Sequence, residues 1–569
     1  MGSANKILVI GIDAAAMEFV QTWSDEGRLP SFKSFLEEGA YARLNSVPNC
    51  NSAPAWSSMV TGVNPGKHGI FWFREYKPHS YESFYTNASY RHGDPLWRLM
   101  SRAGRQVGIM NVPISYPAER VNGFLIAGLD APGVDDERFS HPSGLIVGLR
   151  EELGEYIIEP GMPGFYKAGR LDEGIERLHS TIDSRLAYSS YLMEKWPWDF
   201  FMVVFTAVDS AQHFFWKFMR PEGFTVDQEE REKYQHVIRD VYVHCDEAIG
   251  RLVELAGPST TVFLVSDHGG DVGGKSRLVA VWLQRMGMLR YSSAGPKHTT
   301  LRALPRDLTF RLLVSAYRQA DRHLERDVKL RLARMFPGLR RKTEAHLSFS
   351  QIDWAATKAF TDGKRPDIWI NLRGRFPGGT VEPGTEYDEV CESIREQFLA
   401  MRNPRTGRNA VKQVLRKREA YHGPHLDKAP DLVVRWEPNL PIEALIAESA
   451  RASGMPQGVT LSPLAAGASG GHGQYGVLLA KSPHIKRCQD IGTAEIADVA
   501  PTILHLAGLP VPEYMDGKVV EEMLEEEFLR KNPVRESSHL AGPIMEPVPY
   551  SKEEEATIEE RLRGLGYVE

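Results

Sequence analysis

Cysteine is scarce in this chain: four residues in 569, Cys50, Cys245, Cys391 and Cys488, with no C-x-x-C pair among them. That spacing argues against a disulfide framework and against a thiolate zinc site, and it fits a reducing compartment. Long apolar runs are missing too. The first, Lys6-Ile7-Leu8-Val9-Ile10, runs straight into Gly11 and Asp13, and no basic cluster precedes it. It is too short for a signal core or a membrane span, so the sequence predicts a soluble cytoplasmic protein without a transmembrane segment. Neither sign of charge is in large excess: 68 Lys and Arg stand against 74 Asp and Glu, a net charge of -6. That balance gives no general attraction to nucleic acid or to an anionic membrane, so any anion site must be local. Internal repeats and low-complexity linkers are absent, and the oligomeric state stays open.

What the chain does have is length. Single cores stop growing beyond ~250–300 residues, so one large domain with substantial insertions, or two lobes, is expected. Continuous apolar runs at Ile7–Ile12, Phe200–Phe205, Thr261–Val265 and 476–480 suit strands of a parallel sheet covered on both faces. Helix-like stretches such as 29–39, Val237–Ala256 and 494–507 alternate with them, which points to an α/β fold. The reading divides the chain into a core at 1–270 and 471–530, an insertion at about 70–195, an inserted cap at 271–470 and a helical tail at 531–569. Within the cap, residues 302–342 carry twelve Lys/Arg against four Asp/Glu, a solvated helical face or a wall attracting an anionic substrate.

Chemistry gathers where the runs end. Asp13, Asp209 and the pair Asp267-His268 each lie at or just beyond the C-terminal end of a predicted strand, where open α/β sheets place ligands. Asp209 and His213 are four apart, so on a helical turn they share a face and could bind one cation. Many helices carry such a pair by chance. Asp267 and His268, on adjacent positions, can serve one centre only if the chain turns at Gly269-Gly270; the alternative is a capping Asp beside an exposed His. His472 stands in the glycine-rich loop Gly470-Gly471-His472-Gly473. Ser52-Ala53-Pro54 opens a predicted helix at Pro54, placing Ser52 just ahead of unpaired N–H groups that suit a phosphate. Ser52 as a simple cap is the competing reading. Gly62-Val-Asn-Pro-Gly66-Lys67-His68 has three residues between its glycines where a P-loop needs four, and His68 where Ser or Thr belongs, so it is rejected as one.

In chain order these residues are Asp13, Ser52, Asp209, His213, Asp267, His268 and His472. With Leu8-Val9-Ile10-Gly11-Ile12-Asp13, Val60-Thr61-Gly62, Asn64-Pro65-Gly66-Lys67-His68-Gly69-Ile70, Ser266-Asp267-His268-Gly269, Gly471-His472-Gly473, Asp498-Val499-Ala500-Pro501-Thr502 and Met515-Asp516-Gly517, the chain resembles the alkaline phosphatase superfamily. Its likeness is to the type I phosphodiesterase/nucleotide pyrophosphatase branch. The resemblance implies a mostly parallel sheet sandwiched by helices, with large inserted cap elements. It implies two divalent metal ions, usually zinc and in some members manganese: one held by Asp209, His213 and His472, the other by Asp13, Asp267 and His268. Ser52 would bridge to the second as nucleophile, attacking a small phosphorylated substrate.

Other readings remain beside this one. A sulfatase nucleophile needs Arg where Trp56 stands. A phosphomonoesterase or phosphomutase would share the ligands, and a non-catalytic metal-binding module would keep them without turnover. Diesterases of this branch often carry an Asn some way after the nucleophile. Here none follows Ser52 until Asn64, and Asn51 or Lys67 could substitute as substrate contacts. His92, Asp130, Arg365 and Tyr421 are further candidates in the insertions.

Overall fold

The computed structural model describes residues 6–291, 352–361, 365–446, 468–538 and 545–564. The basic segment 302–342 lies outside the described residues. Nine strands form the central sheet: β1 (Ile7–Ile12), β2 (Ala40–Asn45), β3 (Val107–Met110), β4 (Gly123–Ile126), β5 (Ser140–His141), β6 (Phe200–Phe205), β7 (Thr261–Val265), β8 (Tyr475–Lys481) and β9 (Gln489–Glu495). Their spatial order is β9-β2-β8-β7-β1-β6-β3-β4-β5. Parallel pairs join β1 to β6 and β7, β3 to β4 and β6, and β2 to β9. Only β8 and β5 run against their neighbours. The expected α/β architecture with a mostly parallel sheet is therefore present.

Every residue of β1, β6 and β7 is buried. Their unbroken apolar runs follow from that, because helices cover both faces of the sheet. Leu171–Lys195, Ala207–Met219 and Val237–Ala256 pack together, and Ser52–Thr61 packs with Val499–Leu506. Register then fixes where the chemistry emerges. Ile12 pairs with Phe205, and Gly11 with Val265, so Asp13, the helix carrying Asp209, and Asp267 all leave the sheet at one edge.

The structure corrects four readings of the sequence. The stretch at about 70–195 is not an insertion on the core: it supplies β3, β4 and β5 to the central sheet. The predicted helix at 494–507 is the end of β9, a short 3-10 turn at Ile496–Asp498 and a helix only over Val499–Leu506. The run at 476–480 is antiparallel, since an apolar run reports burial on both faces and says nothing of direction. The Ser52 helix begins two residues before Pro54: Asn51 is its N-cap, its side chain accepting from the Ala53 amide, and Ser52 is the first helical residue. Proline still fits there, because first-turn amides lack intrahelical acceptors. Of the expected helical tail, Lys552–Gly564 is a helix, preceded by a short strand at Glu536–Ser537 paired with Val511–Pro512.

Candidate metal and nucleophile site

Two close approaches of backbone build the site. The strands Gly269–Val272 and Gly470–Gly473 pair antiparallel, with Gly270 opposite His472. A side chain at Gly270 would run into Gln212, and one at Gly470 into the backbone of Gln212 and His213. Glycine there lets the hairpin lie directly against the Ala207–Met219 helix. His472 and His213 are thereby brought together, their Nε2 atoms 3.2 Å apart. The glycine-rich loop of the sequence is thus a packing device rather than a flexible turn.

Each imidazole is turned the same way. His213 donates from Nδ1 to the Gly470 carbonyl at 3.0 Å, and His268 from Nδ1 to the Gly269 carbonyl at 3.0 Å. His472 is hydrogen-bonded by the Cys50 backbone. A carbonyl can only accept, so the Nδ1 of His213 and of His268 carries a proton, and Nε2 is the ring atom left for a cation. Those Nε2 atoms point at carboxylates: His213 to Asp209 at 3.4 Å, His268 to Asp267 at 3.3 Å and to Asp13 at 3.6 Å. His472 Nε2 lies 3.9 Å from Asp209. Outer carbonyls that fix the ring while the inner nitrogen stays open are the usual second layer of a metal site.

Ligand-type atoms fall within 4.8 Å of one another in two groups, Asp209 with His213 and His472, and Asp13 with Asp209 and His268. The first trio is the one the sequence suggested. In the second, Asp209 stands where Asp267 was expected, while Asp267 adjoins through His268 and receives the Ala14 amide at 3.4 Å. Ala14 takes a left-handed φ of 63°, uncommon for a residue with a Cβ, and so turns its amide back toward Asp267. Ser52 completes the cluster. Its hydroxyl lies 3.2 Å from Asp13 and 3.0 Å from His268 Nε2.

The electrostatics ask for a counter-charge. Burial pushes the Asp13 carboxyl well above its ordinary value, and the Asp267 and Asp209 carboxylates push it further the same way. Burial raises Asp267 to about 7. Burial also holds His472 well below its ordinary value, and His268 and His213 beside it add to that. For His213 burial acts downward, yet the Asp209 carboxylate and the Gly470 carbonyl outweigh it and the net direction is up. Three buried carboxylates, the buried imidazoles of His213 and His268 and the partly exposed one of His472 are the hard-oxygen and nitrogen donor set that suits zinc or manganese. The residues fit divalent cations.

Other candidates end up elsewhere. Lys67 donates to Asp516 and to the Tyr514 carbonyl. Asn64 is held by the same Asp516 and by His422. Asn51 caps the Ser52 helix, and its Nδ2 is buried without an acceptor among the described residues. His92 stacks on His425, Arg365 lies among Trp72, Tyr76 and Trp369, Tyr421 packs on Phe71, and Asp130 accepts from the Ser115 and Tyr116 amides.

Two residues were missed. Trp56 donates from its indole to Asp13 at 3.2 Å, and Lys275 donates to the His472 carbonyl at 3.0 Å. Trp56 sits one helical turn after Ser52 and so shares its face, a signal the sequence did contain. The absence of a side chain at Gly11 leaves room for the Trp56 ring against the sheet.

A family model described as type I phosphodiesterase/nucleotide pyrophosphatase matches residues 7–444. No curated protein matches the chain. Among solved structures, human ectonucleotide pyrophosphatase/phosphodiesterase 5 is 12% identical over 92% of this chain and 100% of its own, with a TM-score of 0.46. The murine protein, as an inactive variant in complex with AMP, is 13% identical over 92% of this chain and 100% of its own, with a TM-score of 0.47. The family match spans most of the sequence and includes six of the seven clustered residues, and on it the chain belongs to the type I phosphodiesterase/nucleotide pyrophosphatase family.

Proposed function

We propose that this protein is a two-metal phosphohydrolase of phosphodiesterase type, cleaving small phosphate esters through a phosphoseryl intermediate on Ser52. The observation that carries the proposal is the position of that hydroxyl. It is buried at the first residue of a helix, within 3.2 Å of both Asp13 and His268, with the Asp209, His213 and His472 trio alongside. Asp209, His213 and His472 would hold one divalent cation, and Asp13, Asp267 and His268 the other. Zinc is the better match to the histidine content, and manganese would fit the same donors. Such cations supply charge neutralisation for the phosphoryl oxygens and depress the pKa of the serine hydroxyl.

The chain's own residues then have distinct tasks. Ser52 attacks phosphorus as the P–O bond to the alcohol breaks, the serine proton being lost and the departing alcohol taking one up, while the positive end of the helix faces the phosphoryl oxygens. Asn51 has an unused amide donor for another of those oxygens. Trp56 holds Asp13 in place, and the Gly470 carbonyl does the same for His213. Water arriving on the side opposite the serine ester releases a phosphate monoester from a diester substrate, or phosphate from a monoester, and restores Ser52, so phosphorus inverts twice.

Phosphomonoester hydrolysis is the second reading, favoured by Asn64. The first Asn after the nucleophile is tied to Asp516 and His422, away from any role in gripping a diester. The test is Ser52→Ala with bis-p-nitrophenyl phosphate, p-nitrophenyl phosphate and metal analysis. Metal content should be retained and turnover lost. Full activity in the variant would refute the nucleophile, and bound metal without turnover in the unmodified protein would favour a binding role.

A further inference from the structure

Beside the cluster lies a cavity of about 500 Å³, within the size range of small-molecule sites. His213 and His472 line it, whereas Asp13, Asp267 and His268 do not. Ser52 stands with the second set, against Asp13 and His268. In an in-line displacement the attacking and leaving oxygens lie on opposite sides of phosphorus, and paired cations hold one each. On the two-cation reading proposed above, the attacking oxygen belongs to the Asp13 and His268 side. The leaving oxygen belongs to the side of His213 and His472, and the cavity opens there. It receives the leaving group.

The wall narrows what that group is. Five Lys/Arg and four Asp/Glu line the cavity, so their charges nearly cancel. Several are already paired: Lys275 with Asp271 at 2.9 Å, Arg277 with Glu443 at 2.7 Å, and Glu18 with Arg220. That leaves Arg43, Lys412 and Arg435 against Asp367 and Glu437 on the wall, a small surplus of positive charge, so a second anion would find little net attraction and a cation none. Donors and acceptors are nonetheless plentiful, and the indoles of Trp72 and Trp436 add flat apolar faces. A hydroxyl both donates and accepts, and the C–H faces between hydroxyls of a ring pack on indole. We propose that the leaving group is an uncharged, polyhydroxylated alcohol, which makes phosphate esters of sugars or polyols the substrate class.

The experiment compares two primary-alcohol esters, a hexose 6-phosphate and butyl phosphate, together with their methyl diesters. It uses the full-length protein supplied with zinc or manganese. Two readouts are taken: kcat/KM for alcohol release, and calorimetric titration of Ser52→Ala with the same esters. The polyol esters should exceed the butyl esters by about tenfold or more in both kcat/KM and affinity. Trp436→Ala and Asp367→Asn should bring that ratio close to one; the second is isosteric and keeps the test alive if the first does not fold. Equal handling of butyl and polyol esters, or a ratio that neither variant moves, overturns the polyol assignment and leaves Ser52 and the cation pair standing. Absence of turnover with every ester, with none bound by Ser52→Ala, overturns both.

Discussion

The two walls of this site handle charge in opposite ways. At the sheet edge Asp13, Asp209 and Asp267 crowd together, buried, among imidazoles and the Ser52 hydroxyl, and burial first, with neighbouring carboxylates second, raises the Asp13 and Asp267 carboxyls. Across the cavity, Lys275 answers Asp271 and Arg277 answers Glu443. Buried like charges are costly without a partner, so the first wall stays incomplete until cations arrive. The second already carries ion pairs of its own. The comparison teaches which ligand each wall expects, and it can be attacked from either side.

The largest effect should come from Ser52→Ala, with kcat falling on the order of a thousandfold or more while bound metal, measured by elemental analysis, is unchanged. Loss of metal alongside activity would mean that the serine holds the first wall together. Next is Trp56→Phe, which keeps the ring and removes the N–H donated to Asp13. Removing an outer partner of this kind costs about 10–100-fold in metal affinity, readable by competition with a chelator. Unchanged affinity would show that Asp13 needs no such support.

A third prediction concerns pH in metal-stripped protein. Asp267 has a folded pKa of about 7, above its unfolded value of about 3.9. Between those values the folded state binds the extra proton, so this group's contribution to stability is present at low pH and is lost as pH rises toward and past 7. Asp267→Asn lacks the titration. Its melting temperature relative to the unmodified protein should therefore be higher near pH 8 than near pH 5, and added zinc should favour the unmodified protein instead. A difference independent of pH would mean that burial does not raise the Asp267 carboxyl. The smallest effect is expected at the compensated wall. Arg277→Met should cost no more than about 1 kcal/mol, since the Glu443 partner is half exposed and free to rehydrate, and metal affinity should not move.

How much of this was written in the sequence depends on distance along the chain. Strand-end carboxylates were legible because apolar runs mark strands and parallel sheets gather their C-terminal ends at one edge. The Asp209 and His213 pair was legible through helical spacing. What stayed hidden was set by contacts between remote segments. Gly270 and Gly470 read as turn residues, yet their small size matters because Gln212 and His213 press against them from a different helix. Lys67 looked free beside the nucleophile and is held by Asp516, 449 positions away. Stretch 70–195 hid three strands of the main sheet because β3, β4 and β5 are only two to four residues long, too short to show a pattern.

The pairing of Gly269–Val272 with Gly470–Gly473 also ties two remote parts of the sequence to one short ladder, with His472 opposite Gly270. The described residues between those strands are seated elsewhere on the core as well, Tyr421 on Phe71, His422 on Asn64 and Arg365 by Trp72. Shortening that stretch would therefore cost packing in addition to any change in loop closure.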